Sequence, residues 1–300
     1  MRFGFGRITT RCLLVAGLAS LAAGGSAFSA VATPAAALPW AAPADIDQTV
    51  PPIRADIPCP LSEVLNGASE QVQELVANIH RFSARERIEH VEISRRGNRR
   101  PARKNSFNYV AQINQAASGS PSVEEYRTST SVTEIPEVQM VDTGTAAFAL
   151  IFHRFFLEDF AMSCEGLAVV ESRAAWQLHF TQLANRNNLF HVYRVGSNVY
   201  PVKLKGRAWI AADNYEVLRL QTDLLEPVGQ IRLLREHSDI QYAGVEFRKQ
   251  NVRLWLPRMA ELYMDYRGHR YQRRHNFSNF QLFTVESGEE IKGPKASRKK

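Results

Sequence analysis

Cysteine is scarce in this chain, with three in 300 residues, and no two of them form a Cys-x-x-Cys pair. A His-Glu-x-x-His zinc pair, a Gly-x-Ser-x-Gly elbow and a Gly-rich phosphate loop are also missing. Thiol-redox, metalloprotease, serine-hydrolase and phosphate-loop chemistry therefore have no local signature. No apolar run reaches the roughly 20 residues that a bilayer-spanning helix needs. Acidic side chains are absent from the first 32 residues.

What stands there instead is the pattern of a secretory signal. Arg2, Arg7 and Arg11 precede an apolar stretch from Leu13 to Ala23, and small residues follow through Ala32. The expectation is a signal peptide over 1–32, cleaved after Ala27, Ser29 or Ala32, and an exported protein, periplasmic or secreted. Cys12 lies before the apolar stretch, so it is not placed for lipid modification and leaves with the signal. Cys59 and Cys164 remain in a compartment where disulfides persist, and an even pair implies a bridge. Such a bridge closes a long loop, for which the chain-entropy model gives about 4.7 kcal/mol. The alternative is two buried free thiols.

The formal charge of +7 includes the three signal arginines. Without them the chain is only mildly basic, which gives no reason to invoke nucleic acid but is compatible with an anionic lipid surface. Composition is ordinary for a globular protein, 45% hydrophobic and 22% charged, with enough apolar material for a sizeable core.

The organisation expected is a signal over 1–32, a Pro/Ala-rich extended linker over 33–60, a folded domain over 61–286 and a basic disordered tail over 287–300. Leu61, Val64, Leu65, Ala68, Val72, Leu75, Val76 and Ile79 keep the spacing of one helical face, so an amphipathic helix is predicted there, weakened by Gly67. The period then changes to two, predicting strands over 88–94, 107–114 and 124–132. Between the first two lies RRGNRRPARK, with Arg95, Arg96, Arg99, Arg100, Arg103 and Lys104 and no acid. It reads as a hairpin loop kept soluble by charge, with contact to an anionic membrane surface as the second reading.

Five of the sixteen phenylalanines fall between Thr145 and Met162. On a helical wheel Phe148, Ile151, Phe152, Phe155, Phe156 and Phe160 cover about half the circumference, with Leu150 and Leu157 opposite. A helix here must be covered from more than one side, either as a core helix or as a lid lining an apolar cavity. Strands are predicted over 168–180, 204–211, 215–224, 231–242, 252–255, 259–266 and 269–285. No helix-length pattern separates them, so their connections are antiparallel. The hairpin VKLKGRAWIAADNYEVLRLQTDL sorts into no cleanly apolar face. Its Arg207, Trp209, Leu218 and Arg219 suit a large curved sheet whose hollow is filled by helices.

GRAWIAADNYEVLRLQTDL, a strand over 230–242, LWLPRMAELYMDYRG and HNFSNFQLFTV together resemble the C-terminal strand series of the LolA-like superfamily of exported lipoprotein-sorting proteins. The likeness is to a hairpin, a strand with a Pro-containing turn and a closing strand of alternating aromatics, over Gly206 to Val285. The resemblance implies an α+β fold, a curved antiparallel sheet (an unclosed half-barrel) wrapped around two or three helices, with an apolar cavity for acyl chains.

Candidate ligand-binding residues are Phe148, Ile151, Phe152, Phe155, Phe156 and Trp209. No catalytic residue, cofactor or metal site is expected. His269 and His275 lie about 20 Å apart along one strand and cannot grip one ion; they read as part of an exposed, wet strand. His153 with Glu158 or Asp159, and Glu236 and His237 with Asp239, read as structural, and Trp209 and Trp255 as core anchors. Two functions fit: a non-enzymatic envelope protein that shelters an acyl chain or lipoprotein, or a structural module with a filled core and no ligand.

Overall fold

The computed structural model describes residues 41–130, 141–142, 148–186 and 191–283. The expected signal and tail lie outside them, as do Thr145 to Ala147 of the Phe-rich segment. Helix α1 spans Leu61–Asn78. The strands are β1 (Arg81–Ile93), β2 (Arg103–Gln115), β3 (Pro121–Ser129), β4 (Val141–Asp142), β5 (Phe160–Val170), β6 (Arg173–Gln182), β7 (Val192–Val195), β8 (Asn198–Pro201), β9 (Leu204–Ala211), β10 (Val217–Leu224), β11 (Leu233–Phe247), β12 (Val252–Tyr266) and β13 (His269–Phe283).

Ten strands form one antiparallel sheet in the order β3-β2-β1-β13-β12-β11-β10-β9-β6-β5, and β4, β7 and β8 form a small second one. The large sheet does not close, because β3 and β5 are edges with no strand between them. The expectation of an unclosed antiparallel sheet is met. Among the described residues there is one α-helix, not two or three.

That helix follows its apolar spacing. Val64, Ala68, Val72 and Val76 are buried against the sheet, and the chain turns extended at Ile79, whose N–H still bonds the Leu75 carbonyl at 3.0 Å. Gly67 sits mid-helix because Tyr215 lies over it: a Cβ there would come within 2.3 Å of the Tyr215 ring. Tyr215 is held in place by its left-handed backbone, φ 60°, and by its hydroxyl, which donates to Glu63. Gly67→Ala is therefore expected to destabilise the protein by about 1–3 kcal/mol through overpacking, although alanine is the better helix former. Urea unfolding of the two proteins checks the sign, and a gain in stability refutes the tight approach.

The Phe-rich segment is not the helix that the wheel suggests. It forms two short 3-10 helices, Phe148–Phe152 and Leu157–Asp159, and then enters β5 at Phe160. Phe148, Ala149, Leu150, Ile151 and Phe152 are all buried, so consecutive residues face protein and no helical period is required of them. Tight turns place five adjacent side chains into a surrounding core, and Phe gains little from an α-helix. His153 Nδ1 accepts the Phe155 backbone N–H at 3.2 Å.

Three strand predictions also need correction. The run 168–180 is two strands, joined at Glu171 and Ser172, both at positive φ (46° and 70°), the geometry of a tight hairpin that matches strand twist. The predicted strands 252–255 and 259–266 are one strand, β12, which passes through Pro257. Pro257 pairs with Tyr242 where the β11–β12 register shifts, and such an irregularity tolerates the missing N–H. His275 is buried, not wet: its Nδ1 lies 2.8 Å from Glu86 Oε1.

The main core lies on the face of the sheet that carries α1. It joins the helix residues to Phe82, Tyr109, Leu178, Phe180, Leu220, Ile240 and Leu262 from the strands and to the Phe148–Phe152 turn. Charged groups are sunk into the same face in paired clusters. Glu86, fully buried, receives Arg127 at 2.7 Å, and Arg127 also reaches Glu125 at 3.1 Å. Glu236 pairs with His191 at 3.0 Å and accepts the Tyr193 hydroxyl.

Candidate functional site

The β9–β10 hairpin is covered on both faces, which explains its mixed pattern. On the helix face Leu204, Ala208, Ile210 and Leu220 join the main core. On the other, outer face Trp209, Ala211 and Leu218 join Ala168 and Ala175 in a second cluster, with Ile53, Val170 and Trp255 packed on it.

Residues 45–54, from the Pro-rich stretch, run along this outer face as a strap. The strap begins with a turn closed by the Gln48 N–H on the Asp45 carbonyl at 2.9 Å, Pro51 and Pro52 restrict its second half, and polar contacts tie it down. The Ile46 N–H donates to Asp223 at 2.7 Å, and Arg207 donates to the carbonyls of Ile46 and Thr49. Lys205 bonds Asp45 at 2.7 Å, and His179 lies 2.9 Å from Asp47. Partial burial works against an ionised Asp47, but the hydrogen bonds from Lys205 and His179 outweigh it and hold the carboxyl below its ordinary range. Glu165 is shifted the same way, its burial overcome by Arg207 and Gln177. Arg54 bridges to Leu167 of edge strand β5, and Cys59 is joined to Cys164 in a disulfide.

Strap and sheet enclose an open groove of about 700 Å³. Its lining includes Ile53, Leu167, Val169, Trp209, Leu218 and Trp255. Val169 is 75% exposed, unusual for a β-branched apolar residue beside an apolar cleft. Trp209 is anchored, its Nε1 donating to Gln177 at 2.9 Å and its ring lying under Arg219 at 4.9 Å. Trp255 is stacked by Arg173 and Arg253, while its Nε1 is buried without an acceptor among the described residues. The three arginines that line the groove are already paired: Arg219 with Asp239, Arg173 with Asp213 and Glu216, and Arg54 with Asp56.

Among the described residues the opening beside α1 on the helix face is far smaller. A gap lined by Val72, Leu75, Ala149, Val217 and Leu254 measures about 40 Å³, room for little more than a water molecule.

The six residues singled out for ligand binding fall in different places. Phe148, Ile151 and Phe152 fill the main core, Phe156 is buried beside them, and Phe155 is 46% exposed with its ring 5.2 Å from that of Phe156. Trp209 lies across the sheet, in the groove. Its companions there, Ile53, Leu167, Val169, Leu218 and Trp255, were not predicted as site residues. Their one visible signal was the pair of tryptophans in strands that sort into no clean face.

The acid–histidine groupings re-pair in space: Glu236 takes His191, and His237 lies 2.9 Å from Asp223. Among the described residues no group of three His, Cys, Asp or Glu is arranged to hold a metal.

No family model matches the chain, and no curated protein matches it. Among solved structures it is similar to a DUF1329 family protein from Desulfovibrio piger, with a TM-score of 0.41 and 10% identity over 77% of this chain and 96% of that one. It is also similar to a LolA superfamily protein from Nitrosomonas europaea, with a TM-score of 0.33 and 10% identity over 75% and 94%. A domain described as an outer membrane lipoprotein-sorting protein, from Vibrio parahaemolyticus, gives a TM-score of 0.38 and 10% identity over 74% and 94%.

Proposed function

We propose that this is a non-enzymatic, exported binding protein of the cell envelope that holds an acyl chain, of a lipid or a lipoprotein, in the outer-face groove. The observation that carries the reading is the groove itself: about 700 Å³, within the range of small-molecule sites, mostly apolar and with few polar groups. Its neutralised arginines suit an uncharged, flexible tail. Each methylene buried there contributes about 0.8 kcal/mol, so about ten of them offset the cost of immobilising the ligand and leave useful affinity. The Cys59–Cys164 bridge and the N-terminal signal pattern both support an oxidising, extracytoplasmic setting.

Ala174 is exposed and lines the groove, so Ala174→Trp fills the site without touching the core. Titration with a fluorescent fatty acid is expected to show affinity falling at least tenfold in that variant, with the melting temperature unchanged. Equal affinity in the two proteins, or no uptake by either, removes the groove as the site.

The second reading, a structural module with a filled core, is favoured by the burial of Phe148 to Phe152 and by the small gap beneath α1. It predicts that native mass spectrometry of protein purified without detergent shows no bound lipid.

A further inference from the structure

The basic loop that stands out in the sequence is one part of a larger charged face. At one end of the large sheet three connections come side by side: the β1–β2 loop, the β12–β13 turn and the β10–β11 connection. Their adjacency follows from the register. Ile93 at the end of β1 pairs with Arg270 of β13, Tyr266 pairs with His269 across the β12–β13 turn, Leu233 at the start of β11 pairs with Tyr266, and the Arg267 N–H bonds the Arg232 carbonyl at 2.8 Å.

Arg95, Arg96, Arg99, Arg232 and Arg267 are exposed on these connections, as is Arg103 at the start of β2, and none has a carboxylate partner among the described residues. The acids nearby are largely used already. Glu92 pairs with Arg100 and His269, Glu89 with Lys104 and Asp265 with Arg270; Glu226, on the β10–β11 connection, is exposed. The other end of the sheet is mixed in sign, with Glu171 paired to Arg258 and Asp213 to Arg173. On the basic end Leu234 is 51% exposed at a register shift in β11, between Arg232 and Arg235.

We infer that this end of the sheet is a docking face for an anionic phospholipid surface. Arginines spread over three neighbouring connections present one sign of charge, as an anionic bilayer requires, and Leu234, on the β11 side, supplies an apolar contact. A solvated loop kept soluble by charge requires no second and third basic connection beside it. The face lies at the opposite end of β5 and β6 from the Glu171–Ser172 turn that borders the groove, and the inference does not depend on the groove being occupied.

The test is sedimentation of the full chain with vesicles of phosphatidylglycerol and phosphatidylcholine, against vesicles of phosphatidylcholine alone. The N-terminal apolar stretch is common to all variants and cancels in their ratios. With each surface arginine contributing about fivefold at an anionic membrane, Arg95→Glu/Arg96→Glu/Arg99→Glu is expected to weaken binding to the anionic vesicles by about a hundredfold. Arg232→Glu/Arg267→Glu, which leaves the loop intact, is expected to weaken it by at least tenfold. Binding should also vanish near 1 M salt, where the Debye length is about 3 Å. Since all five side chains are exposed, circular dichroism and melting should not change.

Equal binding to both vesicle types overturns the inference. So does a loss confined to the loop variant, which reduces the face to a single loop. Capture by soluble heparin without vesicle binding assigns the face to a different polyanion and overturns it as well.

Discussion

Phe152→Ala is expected to lower the free energy of unfolding by about 3–5 kcal/mol, the cost of emptying a large aromatic site in a packed core. Phe152 is 0% exposed and belongs to the main cluster with α1 and the strands of the helix face. Its neighbours Leu150 and Ile151 are equally enclosed, so the void has no simple way to collapse. Phe155→Ala, three residues on, removes a ring that is half in solvent and should cost far less. Urea unfolding of the two variants and the parent measures the contrast. If Phe152→Ala left stability near that of the parent and abolished fatty-acid uptake instead, the hollow beneath α1 would be the ligand cavity, and the outer groove would lose its assignment.

Arg127→Met should be as damaging, for an electrostatic reason. Arg127 lies between Glu86 and Glu125, whose side chains are almost wholly buried, and its guanidinium also covers the Tyr109 ring at 5.1 Å. Burial alone would raise the Glu86 carboxyl. The hydrogen bond from His275 and the charge of Arg127 outweigh burial and hold the carboxyl below its ordinary range. Removing the cation takes its charge and hydrogen bonds from two buried carboxylates, Glu86 retaining His275, which costs about 3–5 kcal/mol.

The pH dependence carries the sign. In the parent, a depressed carboxylate contributes stability above its unfolded value and loses it as pH falls through the folded value. In Arg127→Met burial acts on the Glu86 carboxyl without the opposing charge of that cation, so acid relieves the strain. The deficit relative to the parent should therefore shrink between pH 7 and pH 5, and Glu86→Gln added to Arg127→Met should restore part of the loss at neutral pH. A deficit below about 1 kcal/mol at pH 7 would show that water reaches the cluster and that the charges are not sealed in.

Both predictions rest on features unequally visible in the primary structure. The burial of Phe148, Ile151 and Phe152 was legible, since eleven of fifteen residues from Ala146 to Phe160 are apolar; their helical form was not. A wheel assumes one buried face, and the stretch Phe148–Phe152 is buried at every residue. Glu86 and Arg127 lie 41 residues apart, on strands that only the pairing of β1 with β2 and of β2 with β3 brings together. The groove was hidden for a related reason. One of its walls comes from residues 51–54, whose prolines announce an extended chain but not what that chain lies against.

Local pattern was enough for helix α1 and for the succession of antiparallel strands, because a period of 3.6 or 2 is written in neighbouring residues and short connections allow only antiparallel neighbours; that the sheet stays unclosed was implied by the family resemblance, not by the pattern. Tertiary structure alone decided which face of the β9–β10 hairpin meets the core and which meets the strap, which carboxylates His191 and His275 face, and that three basic connections share one end of the sheet. Those outcomes depend on register and on contacts between residues far apart in the chain. A shift of one residue in register would exchange the two faces of a strand, and no stretch of sequence read alone records that choice.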